Sequence, residues 1–195
     1  MGSNLFLFSG SSNRKRRETF ITPNWQSKDF RDVKYYGLKW ELSANPVEKH
    51  MFQFGLKLQR SHAIYDYYQS QSTDREVNSI QIDKTGIDLD AYIQDEWKIS
   101  SRLAINGGFH LTGQNYRQKT TNQYEISPRL SIAYKANRNV IFRTAWGYYH
   151  QPTYLGNLAI HNQSIEIGGA ESASHFILGM EYIGLKKTRI LLEAY

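Results

Sequence analysis

Six histidines, at positions 50, 62, 110, 150, 161 and 175, are the residues best suited to hold a metal or pass a proton. A metal site needs ligands at short, fixed spacing. These histidines have no such spacing, and the chain contains no cysteine. Thiolate sites and disulfides are therefore excluded. Asp90, Glu96, Glu181 and Glu193 are carboxylates that paired acid/base chemistry would require. Arg129, Arg143 and Arg189 recur at the same alternating positions as these acids and offer ion-pair partners instead. No nucleophile elbow, phosphate loop or zinc motif is present. No catalytic residue, metal or cofactor is expected. One cluster remains: the run Arg14-Lys15-Arg16-Arg17, a concentration of cations suited to phosphate oxygens.

That run supplies much of the formal charge of +6. Elsewhere bases alternate with acids, as in Lys39/Glu41 and Arg189/Glu193, which reads as mixed polar surface and not as a nucleic-acid footprint. The 195 residues are 40% apolar with a mean hydropathy of −0.60. No apolar run approaches the ~20 residues a membrane helix requires. A β-barrel stays open, because its strands alternate lipid-facing and lumen-facing residues and average to a polar value. Fourteen tyrosines and only four prolines favour strands.

Eight segments alternate with period two. They predict strands over 33–42, 51–59, 88–98, 103–112, 124–135, 140–149, 175–183 and 188–195, with a partial ninth at 5–8. Leu38, Phe54, Ile93, Ile105, Ile132, Phe142 and Leu178 mark the apolar face. Connections alternate short (43–49, 99–102, 136–139, 183–187) and long (60–86, 113–123, 151–174), so all tight turns lie at one end. Outer-membrane barrels have this asymmetry, with short periplasmic turns and long extracellular loops. Trp40, Trp97, Tyr134 and Tyr182 repeat on the apolar face near the short turns, with Tyr36 and Tyr148 near the long ones. Rings at both ends of an apolar band fit the two membrane interfaces. Asp95 on the apolar face and Pro128 inside a strand are the misfits. They are expected at an interface and at a rim or bulge, respectively. Gly37, Gly55, Gly147 and Gly179 fall on the polar face, where they leave room for a packed domain or ease strand curvature. The same face carries Arg129, Arg143, Tyr149 and His110, the candidate ligand-binding residues.

The wording of residues 91–108, around Gln94-Asp95, resembles the strand–turn–strand phrases of the TonB-dependent outer-membrane receptors. Residues 125–134, 142–152, 178–182 with 189–195, and the hairpin turning at 45–50 are similar too. The likeness runs over roughly 32–195. It implies a bacterial outer-membrane location and an antiparallel up-and-down barrel of about 22 strands. A plug domain would fill that barrel and a TonB energy-coupling complex would drive it. The ligand would be a scarce small molecule of the iron-siderophore, cobalamin or glycan class. Eight to nine strands are too few to close such a barrel, and no export signal or plug precedes them. Before Tyr195 the alternate positions are Glu193, Leu191 and Arg189, a poor terminal strand. An interior barrel segment is therefore expected. It divides into 1–31, a partial strand with a basic extracellular loop against outer-membrane lipid and lipopolysaccharide, and 32–195, four transmembrane hairpins. Two rivals share the alternation. One is a complete small structural or adhesive barrel, and the other is a soluble lipocalin-like barrel turned inside out.

Overall fold

The computed structural model describes residues 1–20, 25–71, 77–116, 124–155, 169–184 and 188–195. Its strands are β1 (Gly2–Phe20), β2 (Trp25–Ala44), β3 (His50–Gln71), β4 (Val77–Lys98), β5 (Leu103–Gln114), β6 (Tyr124–Lys135), β7 (Val140–Gln151), β8 (Glu171–Ile183) and β9 (Arg189–Ala194). They form one sheet in sequence order, each strand antiparallel to the next. All eight predicted strands are present. The sheet is open: β1 and β9 stand at its two edges.

Two expectations need correction. The connection predicted over 60–86 is mostly strand, because β3 continues to Gln71 and β4 begins at Val77. The basic run, expected in a loop, lies inside β1, where Arg14 opposes Arg31 and Arg17 opposes Lys28. The cause is the same for both. In both segments the apolar alternation stops part-way along the strand while the backbone ladder continues. The predicted connections 113–123 and 151–174 fall mostly outside the described residues.

The short turns are closed locally. Ser100 Oγ accepts from the amides of Arg102 (3.2 Å) and Leu103 (3.1 Å). Asn137 Oδ1 accepts from those of Asn139 (2.8 Å) and Val140 (3.0 Å).

The register unites the predicted apolar face: Phe54 pairs with Ile93, Ile105 with Ile132, and Thr144 with both Ile132 and Leu178. That face is not covered. Phe109 is 60% exposed and Leu178 52%. The buried apolar residues lie elsewhere: Val33, Ala63, Tyr65, Tyr116 and Leu155 cluster, with Ile82 against them. Leu155 follows β7, yet its carbonyl accepts the hydroxyl of Tyr65 on β3. The four residues after Gln151 reach at most ~14 Å, whereas four strand spacings across a flat sheet are ~19 Å. Strand side chains stand roughly perpendicular to the sheet, so curvature must close the gap. The polar face is the concave one.

Both misfits have identifiable surroundings, although Asp95 Oδ1 is buried without a hydrogen-bond partner among the described residues. Asp95 Oδ2 lies 2.7 Å from His50 Nδ1, and His50 stacks between Phe52 and Trp97, with ring centroids 5.9 and 5.4 Å away. The β6–β7 ladder ends at Arg129–Gly147, immediately beside Pro128, which has no N–H to extend it. Past that point side chains hold the seam. His150 Nδ1 is 3.1 Å from Ser127 Oγ, and His150 Nε2 is 3.4 Å from Glu125 Oε2.

Candidate functional site

Two arrangements occupy the concave face. The first centres on Asp88 of β4, which the register sets between Gln59 of β3 and Gln114 of β5. Asp88 is 2% exposed. Its Oδ1 accepts from Gln114 Nε2 (2.9 Å) and from the Tyr116 hydroxyl, and its Oδ2 from Ser61 Oγ (3.5 Å). Donors at both oxygens offset the desolvation that a buried carboxylate suffers. Burial, reinforced by the bond to Asp88, pushes the Tyr116 phenol well above its ordinary range. Gln114 also reaches the Thr153 carbonyl at 3.3 Å. The segment after β7 is thereby fastened over β3–β5.

Two glycines make room for rings. A Cβ on Gly86 would overlap the Tyr116 ring, and one on Gly55 would overlap Tyr92 from the facing strand. The choice between a packed domain and curvature has a third answer at Gly55 and Gly147: tyrosines of the same sheet, Tyr92 and Tyr149, occupy the space. Gly179 differs, since its nearest neighbours would be 3.7 Å from a Cβ.

The second arrangement is a cavity of about 510 Å³ whose concave-face lining includes Tyr92, Gln94, Asn106, His110, Arg129, Ser131 and Tyr149. Three of the four predicted candidates, Arg129, Tyr149 and His110, meet there. The Arg129 guanidinium lies 4.7 Å from the Tyr149 ring centroid, a cation–π contact. His110 Nε2 is 3.8 Å from Asp90 Oδ1, and Lys57 approaches the other oxygen at 3.7 Å.

Arg143 is not in the cavity. Its guanidinium bonds Glu181 Oε2 at 2.7 Å while Arg189 holds Oε1 at 2.5 Å. The ion-pair reading of the carboxylates therefore holds for Glu181 and, with Lys57, for Asp90. Glu96 pairs with Lys98 (3.6 Å), and Glu193 accepts from Tyr195 (2.9 Å). Arg129 has no carboxylate within 4 Å among the described residues. Those residues also contain no group of three or more potential metal ligands; His161 lies outside them.

Asp88, Gln114, Tyr116 and Leu155 were missed by sequence reasoning. Asp88 fell at a predicted strand end and the others in connections, so alternation marked none of them. Only the parity of β4, which puts Asp88 on the polar face, was a usable signal.

A family model described as TonB dependent receptor-like, beta-barrel, matches residues 2–190. No curated protein matches the chain.

Proposed function

Because this chain belongs to the TonB-dependent receptor-like β-barrel family, we propose that it is part of the transmembrane wall of an outer-membrane receptor. That receptor imports a scarce small molecule of the iron-siderophore, cobalamin or glycan class. The observation that carries the reading is the opposition of the two faces. The convex face exposes Ile93, Phe109, Ile126, Phe176, Leu178 and Leu192, each more than half accessible. On the concave face Lys39, Lys57, Arg143 and Arg189 pair with carboxylates, and Asp88 gathers Ser61, Gln114 and Tyr116 around it. A sheet in water would place these residues the other way round. With hydrocarbon outside and a polar filling inside, both faces are in their preferred surroundings.

In the complete receptor the filling is a plug domain, and the TonB complex supplies the work of moving it. Arg129, Tyr149 and His110 form the candidate contact with ligand or plug. A guanidinium on an aromatic ring suits an anionic or planar group. Arg143, held by Glu181, serves the wall. Cell fractionation tests the location: the protein should be recovered with outer membranes and require detergent, and recovery in the soluble fraction overturns the reading. Uptake of a labelled iron chelate, cobalamin and an oligosaccharide, by cells with and without the gene, separates the ligand classes.

A further inference from the structure

We propose that the convex side of β1–β3, beyond the apolar rows, binds the phosphates of an outer-leaflet glycolipid; this rests on the membrane reading above. The register lays the side chains out in rows. Leu5–Trp40–Leu56 and Leu7–Leu38–Leu58 are apolar. The next row is Ser9–Tyr36–Arg60, followed by Ser11–Lys34–His62, and two rows further come Lys15–Phe30–Asp66 and Arg17–Lys28–Tyr68. Apolar gives way to cationic within a single row.

Alternation divides the basic run. Lys15 and Arg17 share the convex face with Leu5 and Leu7, whereas Arg14 and Arg16 point to the concave face, where Arg16 pairs with Glu18. The convex carboxylates of these strands are already used, Asp32 by Lys34 (3.7 Å) and Asp66 by Lys28 (3.8 Å). Among the described residues, Lys15, Arg17 and Arg60 have no carboxylate within 4 Å.

Height identifies the partner. A strand tilted ~40° gains about 2.5 Å of depth per residue. Arg60, ten residues into β3, is thus ~25 Å up, at the edge of an apolar band ~25 Å tall. The register sets Lys15 level with Asp66 and Arg17 with Tyr68, six and eight residues beyond Arg60, so they reach roughly 15–20 Å further. A phospholipid carries its phosphate in one thin layer and would engage only the lowest cation. Sugars bearing several phosphates present them through this whole thickness, and arginine holds each bidentately.

The test compares two variants, one lacking three convex charges and one lacking two concave charges, in phosphatidylcholine vesicles with and without lipopolysaccharide. The readout is the lipopolysaccharide retained per protein after detergent extraction, at two salt concentrations. The convex variant K15Q/R17Q/R60Q should lower retention on the order of 100-fold and flatten its salt dependence, while the concave variant R14Q/R16Q stays within about twofold. Equal losses from the two variants, or full retention by the convex one, would overturn the proposal. Failure of the unaltered chain to enter phosphatidylcholine vesicles would instead sink the membrane reading, and this proposal with it.

Discussion

Placing Arg at Leu130 and, separately, at Ser131 tests the two-faced wall most directly. Leu130 is on the convex face, 44% exposed, between Gly107 and Trp146. Ser131 is on the concave face between Asn106 and Ala145. Leu130 stands five residues above the end of β6 at Lys135, about 13 Å at ~2.5 Å of depth per residue. That is the middle of a band ~25 Å tall, where an arginine costs ~2–4 kcal/mol. Ile132, three residues from the same end, is ~8 Å deep. Its arginine should cost less, since the guanidinium reaches the interface beside Tyr134. Arginine at Ser131 meets a polar cavity and should cost under about 1 kcal/mol, mostly from proximity to Arg129. Urea unfolding of the vesicle-inserted protein, followed by tryptophan fluorescence, gives the three values. The expected order is L130R, then I132R, then S131R. Equal costs at 130 and 131 would refute the assignment of the faces, whatever the family.

Three further outcomes follow from the concave face. Asp88→Ala strands three buried donors, on Ser61, Gln114 and Tyr116, at ~1–3 kcal/mol each; residues 153–155 should then exchange amide hydrogens faster than in Asp88→Asn, which keeps an acceptor. The raised Tyr116 phenol means the fold holds its neutral form, so that contribution is complete below the unfolded value of about 10 and is lost as pH climbs above it. Absorbance titration at alkaline pH should show the native protein ionising as many tyrosines as Tyr116→Phe, and one fewer than the unfolded protein. Gly55→Ala should destabilise by ~1–3 kcal/mol through Tyr92, an effect relieved in the double variant with Tyr92→Ala, whereas Gly179→Ala should be near neutral.

The lower halves of the strands were legible because each residue there has one of two surroundings. The predicted 124–135 coincides with β6, and 103–112 and 140–149 fall two residues short of β5 and β7. The upper halves of β1–β4 were illegible. In 60–71, Ala63 and Tyr65 alternate with Ile64 and Asp66, so the apolar contrast that identifies a strand is gone while the hydrogen bonds persist. Arg129, Tyr149 and His110 were selected by polar-face parity. Their meeting in one cavity depends on the β5–β6–β7 register, and the removal of Arg143 from it depends on Glu181 lying opposite Ile141, two residues from Arg143 and next to it on the same face. Nothing local in the sequence encodes the reach of Leu155 back to Tyr65.

A single-layered wall also dictates where burial can occur. Each side chain of a lone sheet projects to one face or the other, and no second layer exists to cover it. Burial then requires a neighbour in the same sheet, as when Tyr92 covers Gly55, or a segment folded over the face. The buried apolar cluster lies beneath the folded-over segment, where Leu155 meets Tyr65, Ala63 and Val33. The most buried carboxylate, Asp88, is under the same cover. Excluding water from Asp88 strengthens its bonds to Gln114 and Tyr116, and those bonds hold the cover that excludes the water. Loosening either side should therefore release the other. Among the described residues no such cover lies over the convex face along β4–β8, where Ile93 and Leu178 are each more than half exposed; on the proposed reading it is surrounding hydrocarbon that keeps these residues in place.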